Sequence, residues 1–193
     1  KFYTHFNGHF VEFDPVERKF TFFHKTARQM AMGMTEDDNG LIWSVTYPSS
    51  GVVSFNPATR EFKDYGHVYK QNWSQYQRYV AADDAGWIYF GIGSTASQII
   101  AFDPQTGTAT PMVPEDERAK GAGYVYRDMD GKVYGRNAGS DTWYQFYQGE
   151  KKEIGEHENV EKKPIITSSQ SLSHRDFPDG KRLRTCDLVN RVL

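Results

Sequence analysis

Cysteine is almost missing from this chain. The single Cys186 cannot form an internal disulfide, which rules out a disulfide framework and leaves compartment unreadable from cysteine usage. No apolar run is long enough to cross a bilayer as a helix. Charge of neither sign is in excess: the formal charge of −2 and a pI near 6.3 give no electrostatic case for nucleic acid or an anionic membrane. Leucine is scarce, outnumbered by both Tyr (12) and Phe (13), and no long window carries a 3.6-residue apolar period. There is no serine nucleophile elbow, CxxC metal site, P-loop or dinucleotide fingerprint, and Gly91-Ile92-Gly93 reads as a hairpin tip. The chain opens on Lys1, inside a repeat and without a visible signal peptide, which predicts a processed or truncated N-terminus.

What is present is a recurring step centred on glycine. Asp37-Asp38-Asn39-Gly40-Leu41-Ile42-Trp43 is echoed by Asp83-Asp84-Ala85-Gly86-Trp87-Ile88-Tyr89, and again by Asp128-Met129-Asp130-Gly131-Lys132-Val133-Tyr134. A fainter copy runs from Phe177 through Pro178, Asp179 and Gly180 to Leu183. The glycines lie 46, 45 and 49 residues apart, the period of one propeller blade. A second motif keeps phase with the first: Phe13-Asp14-Pro15, Phe55-Asn56-Pro57 and Phe102-Asp103-Pro104. An Asx side chain caps a type I turn and proline presets φ at the next position. Gly107 stands where such a hairpin needs a left-handed residue, and Arg18 and Arg60 fill that place at steric cost.

Two reverse turns per unit, separated by short strand-like runs, define a four-stranded antiparallel meander. The fold class expected is all-β, a propeller of such blades. Blades are expected at about 28–65, 78–112 and 123–154, with a half blade at 8–23 and another at 165–193. The inner strands at 30–35 and 79–82 are rich in small residues, as crowding at a propeller axis favours. About four blade equivalents can be arranged in two ways. They can be part of a six- to eight-bladed propeller, which the rarity of small rings and the lack of a visible capping element favour. Alternatively, the two half units complete one another. The charged stretch 156–163 reads as a solvated loop.

The segment Asp37–Gly66, DDNGLIWSVTYPSSGVVSFNPATREFKDYG, resembles repeats of the streptogramin lyase-like and sensor-kinase periplasmic propellers. It matches their D-x-x-G-x-[IL]-W start, the Gly and aliphatic strand leading into F-[DN]-P, and the aromatic finish. Asp83–Pro111 matches nearly as well, the remaining units only at the glycine step. The resemblance implies the fold and, weakly, a periplasmic or secreted location. Gluconolactonase-type enzymes share the fold, but their Glu, Asn and Asp cation ligands do not map onto this chain. Cofactors stay undetermined, with a divalent cation in the channel as one option, and no metal ligands are assigned.

Propeller ligands usually sit at one channel mouth, where inter-blade loops and the hairpins between second and third strands converge. Here those loops are 24–29, 66–78 and 113–122, and the hairpin tips are 48–50, 93–97 and 137–141. The loop 66–78 packs aromatic, amide and cationic groups together, a combination suited to a sugar ring, although its aromatics can equally cover a neighbouring blade. Carbohydrate recognition is the leading expectation, with Arg28, His24, Tyr69, Trp73 and His174 as ligand-binding candidates. The alternative is a lyase or hydrolase acting on a uronate glycan, with His67, Tyr76 and Arg78 as catalytic candidates: a guanidinium neutralises the carboxylate while His or Tyr takes the C5 proton. A third is a protein-interaction scaffold. Expected partners are thus a glycan or small ligand, together with the remainder of a propeller or another subunit, and no nucleic acid.

Overall fold

The computed structural model describes residues 1–6, 8–26, 30–155, 171–173, 175–176 and 182–183. They form four antiparallel four-stranded sheets and one short hairpin. Strands β1 (Phe2–Phe6), β2 (His9–Asp14) and β3 (Lys19–Lys25) lie in the first sheet; β4 (Met30–Glu36), β5 (Ile42–Tyr47), β6 (Gly51–Phe55) and β7 (Phe62–His67) form the second. The third holds β8 (Tyr76–Ala82), β9 (Ile88–Gly93), β10 (Gln98–Asp103) and β11 (Thr108–Pro111). The fourth holds β12 (Tyr124–Arg127), β13 (Val133–Arg136), β14 (Trp143–Tyr147) and β15 (Glu150–Ile154). The second to fourth sheets are simple meanders, as two turns per unit dictate. Among the described residues no helix is long and apolar enough to cross a membrane.

The first sheet is built from both ends of the chain. Strand β16 (Ser171–Ser173) pairs antiparallel with β1, Phe2 opposite Ser173 and Thr4 opposite Ser171, and so becomes its innermost strand. A short hairpin of β17 (Arg175–Asp176) and β18 (Arg182–Leu183) follows. The first sheet therefore takes three strands from the N-terminal run, one more than the half blade at 8–23 would supply. The added strand, β1, lies before the dipeptide Asn7-Gly8, a strong hairpin signal, and Gly8 takes φ 73.

Each turn works as its chemistry requires. Asp14 Oδ1 accepts from the backbone N–H groups of Val16 and Glu17, Asn56 Oδ1 from Ala58 and Thr59, and Asp103 Oδ1 from Gln105. Left-handed φ falls at Arg18 (51°), Arg60 (68°) and Gly107 (74°). At the glycine step the leading aspartate also holds the aromatic that ends the motif. Asp37 Oδ2 accepts from Trp43 Nε1 at 2.8 Å, and Asp83 Oδ2 from the Tyr89 hydroxyl at 3.1 Å. In the third copy this task passes to Asp130, which accepts from the Tyr134 hydroxyl at 2.7 Å.

Three apolar layers lie between consecutive sheets. Tyr3, Phe10, Ile42 and Phe55 fill the first, Trp43, Val45, Phe90 and Phe102 the second, and Tyr89, Ile99, Val133 and Phe146 the third. Strands β9 and β10 are buried on both faces, which explains the apolar runs at Ile88–Gly93 and 99–102. Side chains alternate between layers: Ile88, Phe90 and Ile92 face the second sheet and Tyr89 the fourth. Each fully buried Phe or Ile stabilises the fold by about 1.5–3 kcal/mol. The first strands β4, β8 and β12 pack consecutively, so they line the axis.

Candidate functional site

Two inter-sheet connections are laced to the hairpins beside them. After β7, Val68 N–H donates to Ser50 O at 3.1 Å and Gln75 N–H to Pro48 O at 2.9 Å. After β11, Ser97 N–H donates to Ala119 O at 2.8 Å and Gly121 N–H to Ser94 O at 3.1 Å. A buried relay reinforces the first junction: the Ser50 hydroxyl donates to Gln75 Oε1 at 2.5 Å and accepts from Gln77 Nε2 at 2.8 Å. Gln98 does the equivalent at the second, bonding both the N–H and the carbonyl of Val113 at 2.9 Å. These two loops and their tips are thus tied together at the same end of the sheets.

Within the connection after β7, irregular backbone runs only over 68–75, because β7 extends to His67 and β8 begins at Tyr76. Tyr69 and Trp73 are half-buried against the layer between the second and third sheets, so their rings cover core. His67 closes the outer strand opposite Gly51. His24 also lies on an outer strand, β3, exposed and packed on Phe62 with centroids 4.3 Å apart and a tilt of 33°. Phe62 opens the strand that His67 ends, so the two histidines stand at its opposite ends and are not brought together. Arg28 and His174 lie outside the described residues.

Two of the expected residues, Tyr76 and Arg78, stand at the start of β8, and Tyr76 meets a third that sequence reasoning passed over. Tyr47, the last residue of β5, packs on Tyr76, the first of β8, with ring centroids 4.6 Å apart and a tilt of 33°. A hydrogen bond from Ser74, then one from Tyr76, holds the Tyr47 phenol below its usual pKa. The same bond to Tyr47 raises that of Tyr76, and the nearby Arg78 charge opposes the rise. Arg78 is exposed at a bulge of β8, between Gln77 and Tyr79, where the strand is re-aimed. The signal for Tyr47 was its position next to the tip Pro48–Ser50. Among the described residues, no three His, Cys, Asp or Glu side chains gather as a metal site.

No family model and no curated protein matches the sequence. Solved structures do match it. A catalytically inactive virginiamycin B lyase from Staphylococcus aureus with quinupristin superposes with a TM-score of 0.55 at 11% identity, over 92% of this chain and 62% of that one. A streptogramin B lyase gives 0.55 at 13% identity, over 92% and 61%. Dihydro-heme d1 dehydrogenase, in complex with DHE, gives 0.56 at 12%, over 94% and 42%. This chain spans less than two thirds of each of these proteins. At such identities the likeness is one of fold, and the chain has a β-propeller fold of four-stranded antiparallel blades.

Proposed function

We propose that the loop end of this propeller recognises a carbohydrate, through Tyr47, Tyr76 and Arg78, and that acidic sugars are preferred. The observation that carries the reading is a pair of packed phenols with the charge of an exposed guanidinium nearby, at one end of β8. Phenols offer both a hydrogen-bonding hydroxyl and a ring face to a sugar, and a guanidinium can hold a carboxylate through two parallel hydrogen bonds. A periplasmic or secreted setting, where glycans are met, belongs to the same reading. Calorimetric titration with uronate and neutral oligosaccharides tests it. Uronate oligomers should bind more tightly than neutral ones, and Arg78→Ala should weaken their binding about tenfold or more. Equal affinity for both, unchanged in Arg78→Ala, would sink the idea.

A second reading, a lyase, is favoured by the packing of Tyr47 on Tyr76, since hydrogen bonds from Ser74 and Tyr76 ease deprotonation of the Tyr47 phenol. As phenolate, Tyr47 would take the C5 proton of a uronate while Arg78 neutralises its carboxylate. The C4–O bond then breaks, a C4=C5 double bond forms, and the leaving oxygen takes up a proton from solvent. The unsaturated product absorbs in the ultraviolet, so the assay is continuous. Tyr47→Phe should abolish product while leaving uronate binding in place.

A further inference from the structure

A cavity lies at the next sheet junction, in residues assigned no role so far. It encloses about 400 Å³ between the connection after β11 and the hairpin joining β13 to β14. Glu117, Asn137, Ser140, Thr142, Tyr144 and Lys151 supply its polar wall.

Asn137 is the informative residue. It is only 4% exposed, its Nδ2 makes one long bond to the Glu117 carbonyl at 3.4 Å, and its Oδ1 has no partner. An unpaired buried amide oxygen costs about 1–3 kcal/mol, so the position calls for a donor from a bound molecule. The rest of the wall says what kind. Lys151 is held with its Nζ 2.7 Å from the Met112 carbonyl and 4.7 Å from the centre of the Tyr144 ring. Burial, followed by the Glu117 carboxylate, raises the Tyr144 pKa, so this phenol remains a donor at neutral pH. Ser140 Oγ accepts from Thr142 N–H at 3.1 Å, which leaves the hydroxyl hydrogen for a ligand.

One ammonium and one carboxylate leave the wall without net charge. An anion would meet Glu117 and an amine would meet Lys151. Hydroxyl groups, which donate and accept, suit the mixture of Asn137 Oδ1, Tyr144 and Ser140. The volume is at the small end of ligand pockets. We infer that this cavity binds a small neutral polyol, a single sugar ring or cyclic polyol, with Asn137 Oδ1 accepting from one of its hydroxyls. The inference does not depend on Tyr47, Tyr76 or Arg78 and survives their failure.

The test is ligand-observed NMR and calorimetry on the whole chain with glucose, galactose, mannose and myo-inositol, and with glucuronate and glucosamine as charged counterparts. At least one neutral compound should bind saturably and more tightly than its charged counterpart. Asn137→Ala should weaken it about tenfold, and Thr142→Trp, which fills the cavity and keeps Asn137, should abolish it. Circular dichroism confirms that each variant is folded, and Thr142→Trp serves alone if Asn137→Ala is not. Absence of binding by every neutral compound, binding by charged compounds only, or binding unchanged in the folded variants would each overturn the proposal.

Discussion

Arg60 of the second sheet grips Glu12 of the first with one nitrogen, Nη1, which donates to both carboxylate oxygens at 2.8 and 2.9 Å. The same guanidinium donates to Thr21 O at 2.8 Å and lies over the Phe22 and Phe55 rings. Arg60 occupies the left-handed turn position, φ 68, that Gly107 fills one unit later. The strained arginine at this turn is therefore an inter-blade clamp.

Arg60→Gly relieves the φ strain yet should still destabilise the fold. It takes the cation from a carboxylate that is 1% exposed; because Arg60 itself is 41% exposed and Thr21 still donates to Glu12, the cost should be about 1–3 kcal/mol. Urea unfolding of Arg60→Gly, Glu12→Gln and the double variant measures the coupling. The double variant should be more stable than Arg60→Gly alone, and additive losses would contradict the clamp.

Acid should weaken this junction through two groups. Burial lowers the His5 pKa from 6.5 to about 4, so His5 is neutral in the fold and takes up its proton more readily when unfolded. The stabilisation is complete above about pH 6.5 and is lost as pH falls to about 4, at most about 3 kcal/mol. Burial favours protonation of Glu12, but hydrogen bonds from Thr21, Arg60 and Tyr3 outweigh it and keep the pKa below 4.5. Its contribution is present above that value and disappears below it. Unfolding free energy against pH should fall in two successive stages, and His5→Gln should flatten only the upper one.

Two glycines separate steric from conformational cost. A β-carbon at Gly91 would come 1.9 Å from the Gly123 carbonyl oxygen, because β9 and β12 approach backbone to backbone. A β-carbon at Gly66 would meet nothing within 4 Å, although φ there is +68°. Gly91→Ala should therefore lose about 3 kcal/mol and Gly66→Ala about 1–2 kcal/mol, read from chemical unfolding. Equal losses would mean that the third and fourth sheets part easily.

The turns were legible in the sequence because each carries its own chemistry within a few residues, as Asp14, Asn56 and Asp103 show. The clamp was visible only as an anomaly, an arginine where glycine belongs, since Glu12 lies 48 residues away. The rim suffered from the same limit: Tyr76 and Arg78 stood out by composition, whereas Tyr47 matters only because a different strand ends beside them. His24 and His67 misled because a residue near a connection in sequence can still lie on an outer strand in space.

Arg127 provides the contrast to Arg60. On β12 it donates to Ala82 O at 3.1 Å and to Asp38 Oδ2 at 2.7 Å, tying the fourth sheet to the glycine step of the second. Both partners of this ion pair are partly exposed, 28% and 43%, whereas in the Arg60–Glu12 pair the arginine is 41% exposed but the carboxylate only 1%. Solvent and salt therefore screen the Arg127–Asp38 attraction, and such pairs contribute about 0–1 kcal/mol. Arg127→Met should cost less than Arg60→Gly, and its cost should shrink as sodium chloride rises from 0.05 to about 1 M, where the screening length is about 3 Å. The cost of Arg60→Gly should change little over the same range. If both losses faded equally with salt, the Glu12 carboxylate would be reaching solvent and the clamp would be an ordinary surface pair.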